Sequence, residues 1–338
     1  MRQRRVGILV VVAALCLPLI ASAQSQPPAP MGPTEDPADT ARVRFGPFFL
    51  QPDFGLRGVG LDNNVFNDDE NPQRDWTATL RLGMLAGLRF GPARLTMKTT
   101  TDYVWFAHFR EERSIDGNTR YQFEVRSARL RPWVAYQKVK THERPSFEID
   151  ARAGRTMPTY EAGVEYKVGF RLGTRLAVRH HREEYQAEEI FDGVKLADVL
   201  NNETEEAELQ LLYEISPLSS LRLSAKGSRI RFDTATERDV DDVAAYIGIE
   251  GGRDAGLQGT VDLGWEERTA REPGGGASSG VVARGSAAYI LAERVRVAFG
   301  IDRDTQWSFD EFYTFYVQSG GTTTVTWRPY QRLDLVAT

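Results

Sequence analysis

Residues 76–107 read WTATLRLGMLAGLRFGPARLTMKTTTDYVWFA, and the spacing of apolar side chains in this stretch decides the fold class. Alternate residues from Trp76 to Phe90 are apolar, whereas the residues between them are mostly Thr, Gly and Arg. After the break Gly91–Ala93, the alternation resumes and runs on to Ala107. A period of two places alternate side chains on opposite faces of a β-strand. The stretch therefore predicts two amphipathic strands joined by a tight turn.

The same alternation recurs along the chain after Val43, for example in residues 206–215 and 257–266. Short turns such as Ser216–Leu218 alternate with long polar loops such as Asp192–Asn202. Long connections at one end and short ones at the other are typical of outer-membrane barrels with external loops and periplasmic turns. We therefore predict an all-β fold, an antiparallel up-and-down transmembrane β-barrel.

The number of strands follows from counting the alternating segments. About fifteen can be counted, and because bacterial single-chain barrels have an even number of strands, we predict about sixteen in the complete barrel. The chain stops at Thr338 in mid-strand, which leaves open a truncated C-terminus that lacks the last hairpin. Aromatic residues near strand ends, including Trp76, Phe90, Trp133 and Trp265, fit the girdles found at membrane interfaces.

The N-terminus has a different composition. In residues 1–23, arginines precede an apolar run and a small-residue Ala-Ser-Ala site, which is the order of a cleaved secretory signal peptide. Residues 24–42 are rich in proline and predict a flexible periplasmic tail, which leaves residues 43–338 for the barrel. The single cysteine, Cys16, lies in the signal peptide, so no disulfide or thiol site is expected in the mature chain.

Charge and hydropathy exclude two classes of protein. The net charge is −5, and loss of the arginines near the N-terminus would make the chain more acidic, so nucleic acid is not an expected partner. The mean hydropathy is −0.40, and after the signal peptide no second long apolar run follows. These features exclude a helical membrane protein but not a barrel, whose strands expose only half of their residues to lipid.

The polar face of the strands would line the lumen of such a barrel. The predicted lumen-lining charged residues are Arg81, Arg89, Lys98, Asp102, Glu124, Arg126, Arg222, Lys226, Asp262, Glu266, Arg284, Arg296, Asp302 and Asp304. Opposite charges across a water-filled channel orient polar solutes and set ion preference. Alternatively, these residues pair across neighbouring strands and fill the wall.

A polar loop between two of the long strands is rich in Asn and Asp. The outer-loop candidates are Asp62, Asn63, Asn64, Asp68, Asp69 and Glu70. Asp and Asn suit tight turns because their side chains cap the local backbone. Their oxygens could also surround Ca²⁺, but the spacing matches no EF-hand. We therefore favour an exposed loop and predict no metal site.

Catalytic motifs are weak in this sequence. The adjacent His180 and His181 should point to opposite faces of a strand, so they cannot hold one metal ion together. No HExxH motif is present, and the sequence does not place a Ser-His pair within reach of each other. We predict no cofactor and no enzymatic activity, with an outer-membrane enzyme as a remaining alternative.

Three segments resemble a known family. The run Gly60–Phe66, the following Arg74–Leu80, the phrase ERPSFEIDAR at residues 143–152 and the repeated hairpins are similar to the beta-barrel porin 2 type of Gram-negative outer-membrane proteins. The resemblance covers most of the mature chain and implies an outer-membrane barrel. Some members are linked to exopolysaccharide export, so the resemblance also implies that the transported solute is an exported polysaccharide.

These observations predict an outer-membrane pore for polar solutes. The alternative is a non-conducting structural barrel, or one whose outer loops bind lipopolysaccharide or another cell. Expected partners are outer-membrane lipid and lipopolysaccharide, the barrel assembly machinery, and a polar solute or polysaccharide.

Overall fold

The chain is seen in a computed structural model that describes residue 41 and residues 43–67, 70–146, 148–252, 257–272, 276–291, 294–309, 315–330 and 333–337. The predicted signal peptide and the predicted tail, apart from Ala41, lie outside the described residues. No helix in the described ranges is long and apolar enough to cross a membrane.

A single antiparallel sheet of sixteen strands dominates the fold, and each strand pairs with the next one in the sheet. Its strands are β1 Val43–Phe45, β2 Phe48–Asp62, β3 Asp75–Phe90, β4 Ala93–Phe106, β5 Ser114–Val125, β6 Leu130–Glu143, β7 Ala153–Lys167, β8 Leu172–Tyr185, β11 Asn202–Ser216, β12 Ser219–Phe232, β13 Val240–Gly251, β14 Leu257–Ala270, β15 Ala277–Leu291, β16 Val295–Trp307, β17 Phe315–Tyr330 and β18 Leu333–Ala337. The predicted up-and-down β-barrel fold is confirmed, and the described residues place sixteen strands in the sheet, against about fifteen counted in the sequence and about sixteen predicted for the complete barrel.

A small hairpin lies in the connection between β8 and β11. It consists of β9 Ile190–Phe191 and β10 Val194–Lys195, and the short helix α1 Leu196–Leu200 follows it. Two further connections contain one-turn 3-10 helices, Arg110–Glu112 and Thr236–Arg238.

The connections between strands differ at the two ends of the sheet. At one end, here called the short-turn end, β3 joins β4 through residues 91–92 and β11 joins β12 through residues 217–218. Gly91 has a φ of +56°, a conformation that glycine adopts at little cost. At the opposite long-loop end, the connections include residues 63–74, 144–152 and 186–201. The predicted alternation of short and long connections is therefore present.

One face of the sheet, called the outer face, carries a band of exposed apolar side chains. On β11 the exposed side chains from Ala207 to Ile215 include Leu209, Leu211 and Tyr213. Residues 207–215, at about 3.4 Å per residue and a tilt of about 40°, give a band roughly 21 Å tall, close to the ~25 Å of membrane barrels. Towards the long-loop end the outer face becomes charged, beginning with Glu205 on this strand.

The other face, called the inner face, is concave. Arg284 on β15 contacts Glu208 on β11 at 2.6 Å, although β12, β13 and β14 lie between these strands. In a flat sheet the two strands would be about 19 Å apart at a spacing of about 4.8 Å. The sheet therefore curls, with Glu208 and Arg284 on its inside.

One aromatic residue lies where the sequence did not place it. Trp76 and Trp265 are exposed on the outer face, as expected of girdle residues. Trp133 instead faces inward and is buried, because its position on β6 is opposite the inward-facing Gly163. A Cβ atom on Gly163 would lie 2.6 Å from the indole ring of Trp133. The expectation that Trp133 joins an interfacial girdle was wrong.

Candidate pore and outer mouth

The structure places the predicted lumen residues on the inner face. Directly opposed residues in antiparallel strands share a face. For example, Arg81 lies opposite Asp102 on β3 and β4, and Arg284 lies opposite Asp302 on β15 and β16. Those on the inner face are Arg81, Arg89, Lys98, Asp102, Glu124, Arg222, Lys226, Asp262, Glu266, Arg284, Arg296, Asp302 and Asp304. Arg126 lies in the turn after β5 and donates to Glu124 at 2.6 Å. That these residues line a conducting lumen stays a prediction.

Buried ion pairs fill one part of the inner face, the packed arc, formed by β8 and β11–β15. Arg222 donates to both carboxylate oxygens of Asp262, including Nε to Oδ1 at 3.1 Å. Arg284 Nε donates to the same carboxylate at 3.2 Å, and its Nη2 reaches Glu208 at 2.6 Å. The guanidinium of Arg284 also lies over the ring of Tyr246, 4.2 Å from its centroid. One connected set of contacts thus links β11, β12, β14 and β15.

The packed arc continues onto β8 and β13 through residues that were not among the sequence candidates. Arg175 Nη1 donates to Gln210 at 3.0 Å and lies 3.8 Å from Glu250. Glu250 is also 3.7 Å from Arg222. The alternation of the sequence places these residues on the polar face, but it cannot say which residue of a distant strand each one meets.

A second group of paired charges lies nearer the long-loop end. Lys226 Nζ is 3.2 Å from Asp242 and 3.7 Å from Glu266. Arg268 Nη2 is 3.4 Å from Glu266 and 3.9 Å from Asp304. Burial of a charge is costly unless an opposite charge or hydrogen bonds compensate it. In the packed arc, therefore, the alternative of charges that pair and fill the wall describes the contacts well.

The inner face of β2–β5, called the open arc, is different. Arg81 Nε donates to Asp102 at 2.7 Å, and Arg57 Nη2 donates to the same carboxylate at 3.0 Å. The side chain of Arg57 is 52% exposed. Lys98 is also exposed, and it stands opposite another cation, Arg120. The charges of Arg57 and Lys98 on this wall are accessible to water, whereas Arg94 is buried.

Basic and acidic residues are unevenly distributed between two parts of the inner face, the open arc and β11–β16. In the open arc the cations are Arg57, Arg81, Arg89, Arg94, Lys98 and Arg120, and the anions are Asp53, Asp102, Asp116 and Glu124. On β11–β16 the anions are Glu206, Glu208, Glu214, Asp242, Glu250, Asp262, Glu266, Asp302 and Asp304, and the cations are Arg222, Lys226, Arg268, Arg284 and Arg296. One wall thus has an excess of positive charge and the other an excess of negative charge.

At the long-loop end, residues 144–146 and 148–152 belong to a loop, called the cap loop, that contacts its neighbours on one side. Arg144 Nη2 donates to the carbonyl oxygen of Val65 at 3.1 Å, and Asn67 donates to Asp150 at 2.8 Å. Arg152 stacks over the ring of Phe106, 4.6 Å from its centroid. These contacts join the cap loop to the loop after β2 and to the end of β4.

The cap loop also reaches strands on the far side. Glu148 accepts hydrogen bonds from Ser308 Oγ at 2.8 Å and from the backbone N–H of Phe309. Ser308 directly follows β16, whereas the cap loop lies between β6 and β7, so the contact joins distant parts of the strand order. Phe309 packs in turn on Phe191, with ring centroids 5.5 Å apart. The cap loop therefore crosses the long-loop end of the sheet, here called the outer mouth.

The loop after β2 is built by turn and anchor contacts. Asp62 Oδ1 accepts the backbone N–H of Asn64 at 3.0 Å, as expected of an Asp-initiated turn. Asn63 is exposed, Asn64 and Glu70 both take part in further interactions, and Asp68 and Asp69 lie outside the described residues.

Asp75, at the outer end of β3 beyond the apolar band, was not a sequence candidate but holds two loops together. It accepts the backbone N–H groups of His108 at 2.7 Å and Phe109 at 3.0 Å. Desolvation opposes ionisation of Asp75, but these bonds and those from the His108 ring and the Trp76 N–H outweigh it and lower its pKa to about 2. Its charge is therefore retained across the ordinary pH range.

The histidine pair is split as predicted. His181 lies on the inner face and contacts Thr159 Oγ1 at 2.8 Å, while His180 lies on the outer face. Among the described residues, the one group whose ligand atoms are close enough for a metal ion is His180, Glu203 and Glu205, within 4.8 Å of one another. Arg182 lies 3.7 Å from Glu203, so the guanidinium group of Arg182 already compensates the charge of this carboxylate.

Comparison with known proteins gives the family. Residues 36–319 match the model of the family described as Putative beta-barrel porin 2. No curated protein matches the chain. Because the matched segment includes most of the sheet, the chain belongs to this family, as the resemblance in the sequence indicated.

Proposed function

We propose that this member of the Putative beta-barrel porin 2 family is an outer-membrane pore for polar solutes. The observation that carries the proposal is the excess of positive charge on the open arc and of negative charge on β11–β16. Opposite charges on facing walls produce a transverse field that orients dipolar solutes in the channel. The exposed side chains of Arg57 and Lys98 favour water beside the open arc.

The proposed location is the outer membrane. Its support is the family, the apolar band on the outer face and the predicted signal peptide in residues 1–23. An apolar surface of this extent would aggregate in water, so folding would need lipid or detergent and, in the cell, the barrel assembly machinery. We infer that outer-membrane lipid covers the band.

The cargo we propose is a polar solute, with an exported polysaccharide as its specific version. The family resemblance supports the polysaccharide, and the open arc adds hydroxyl groups from Thr79, Thr96 and Thr100 on the inner face. Such groups exchange hydrogen bonds with sugar hydroxyls as readily as with water. We assign no catalytic step to the chain.

A second function is favoured by one specific observation. The cap loop crosses the outer mouth, and the packed arc fills part of the inner face, so the chain could instead be a non-conducting barrel that presents its loops to a partner. The two functions differ in whether current flows when the contact between Glu148 and Ser308 is removed.

Single-channel recording in planar bilayers tests the proposal. We expect an ion current, and we expect Lys98→Glu to shift the reversal potential in a salt gradient towards cation preference, because a ring or wall of charge sets ion preference. Lys138→Glu makes the same charge change on the outer face and serves as the matched control, which should leave selectivity unchanged.

Two results would contradict the proposal. Unchanged selectivity in Lys98→Glu, with a current present, would remove the open arc from the conducting path. Absence of current from folded protein, both in the natural chain and in Glu148→Ala, would support the non-conducting barrel instead.

A further inference from the structure

Three tyrosines mark the upper edge of the apolar band on one sector of the outer face. Tyr121, Tyr136 and Tyr160 are on the neighbouring strands β5, β6 and β7, and the rings of Tyr136 and Tyr160 are 5.0 Å apart. Tyrosines gather where hydrocarbon meets lipid headgroups, because one end of the ring is apolar and the other polar. This row therefore marks the height of the headgroups in the outward-facing leaflet.

Two lysines project from the outer face directly above this row. Lys138 and Lys140 follow Tyr136 at alternate positions on β6, and both are exposed. Their neighbours across β5 are Thr119 and Gly117. Across β7, the neighbours of the two lysines are Pro158 and Thr156. No adjacent strand places a carboxylate opposite either lysine.

Two other cations of the outer rim have acidic partners. Arg182 donates to Glu184 at 2.7 Å and to Asp233 at 2.8 Å, and Arg231 pairs with Asp241. Within the described ranges no ion pair joins Lys138 or Lys140 to an acidic residue. These two ammonium groups thus present uncompensated positive charge at headgroup height.

A groove of about 340 Å³ connects the lysines with the tyrosines below them. Its lining residues are Gly117, Thr119, Tyr121, Tyr136, Lys138 and Lys140. The groove is open where Gly117 has no side chain, and its lining residues carry two ammonium groups, three hydroxyl groups and two aromatic rings. Ammonium and hydroxyl groups bind phosphate oxygens through charge-assisted hydrogen bonds, whereas aromatic rings suit a sugar ring or the start of an acyl chain.

We infer that this groove binds the phosphorylated headgroup of a glycolipid of the outer leaflet, with the phosphate between Lys138 and Lys140. The continuity of the groove with the apolar band distinguishes a membrane lipid from a soluble phosphate. The inference rests on the outer-membrane location of the proposed function, but not on conduction, since the site lies on the outer face.

The test is a binding titration of the detergent-solubilised full chain with three probes. The probes are diphosphorylated lipid A, the same lipid after removal of its phosphates, and inorganic phosphate. We expect lipid A to bind, dephosphorylated lipid A to bind about tenfold more weakly because the charge-assisted contacts are lost, and inorganic phosphate to compete poorly. The double variant Lys138→Gln/Lys140→Gln should show the same loss of about tenfold for lipid A.

A matched control removes two cations from another sector of the same rim. Arg229→Gln/Arg231→Gln on the outer face of β12 should leave the affinity for lipid A within about twofold, because those residues are distant from the groove. Equal affinity of the natural chain and the lysine variant would overturn the inference. Full competition by inorganic phosphate would overturn the lipid as its source.

Conductance of the same variants separates this inference from the proposed function. Lys138→Gln/Lys140→Gln should retain the current of the natural chain, since neither residue faces the inner side. Loss of lipid affinity with an unchanged current would support the site whatever the cargo is. A chain without current that still binds lipid A through these lysines would contradict the pore and leave the lipid site standing.

Discussion

The packed arc and the open arc both contain ion pairs between arginine and aspartate, but the two arcs differ in how far these pairs are buried. In the packed arc the side chains of Arg222 and Asp262 are 6% and 1% exposed, whereas those of Arg81 and Asp102 in the open arc are 30% and 17% exposed. Both pairs are bidentate contacts between arginine and aspartate on the inner face. A charged face can therefore be structural along one wall and accessible to water along another. Curvature contributes to this difference, because it brings Arg284 to Glu208 across three strands in the packed arc, whereas Arg57 reaches Asp102 across one strand in the open arc.

Removal of the arginine from an arginine–aspartate pair should give the largest difference in stability between the two arcs. We expect Arg222→Ala to lower the free energy of unfolding by about 3–5 kcal/mol, because the buried carboxylate of Asp262 loses its main partner. Arg81→Ala should cost less than about 1 kcal/mol, since water replaces the lost contact. Guanidinium titration of the protein in liposomes measures both. Equal losses would remove the distinction between the arcs.

A smaller loss of stability is expected from a packing change on β6 and β7, which lie between the two arcs. Gly163→Ala should cost about 1–3 kcal/mol, because the added Cβ would meet the Trp133 ring at 2.6 Å and the backbone oxygen of Leu176 at 2.8 Å. Gly227→Ala on β12 is the matched control, since nothing lies within 4 Å of its new methyl group. The same titration reports both variants. Similar midpoints for the two would show that Trp133 is not packed against Gly163.

The cap loop offers the smallest expected effect, on conductance rather than stability. Glu148→Ala removes the acceptor of the Ser308 hydroxyl and the Phe309 N–H, so we expect a larger current or more frequent openings, by a factor of about two. Glu188→Ala removes an exposed glutamate of another long connection; it is the control and should not alter the current. Identical recordings for both variants would show that the cap loop does not limit passage.

The sequence predicted the sheet because a period of two is a local property. Alternation assigned Leu209 and Leu211 to the outer face and Arg222 and Lys226 to the inner face, and the register confirms these assignments. It also separated His180 from His181. The up-and-down topology followed because long and short connections alternate along the chain.

The contacts that define the site were not predictable, because they depend on curvature. Arg284 meets Glu208 only because the sheet curls across three intervening strands, and no spacing in the sequence encodes that distance. The cap loop is a similar case, since Glu148 meets Ser308 from a distant part of the chain. Trp133 was assigned to a girdle from its residue type, whereas its parity on β6 and the space left by Gly163 place it inside.

Cysteine accessibility tests whether solutes pass along the open arc rather than through the packed arc. The only cysteine of the chain is Cys16, in the predicted signal peptide, so single substitutions can be labelled without background in the mature protein. Thr96→Cys and Thr100→Cys place thiols in the open arc, and Ser224→Cys and Ser228→Cys place them in the packed arc.

A positively charged thiol reagent is added during planar-bilayer recording. We expect rapid modification and a stepwise drop in current for the two threonine variants, and no change for the two serine variants. Block of the current through the packed-arc cysteines, with none through the open-arc cysteines, would contradict passage along the open arc.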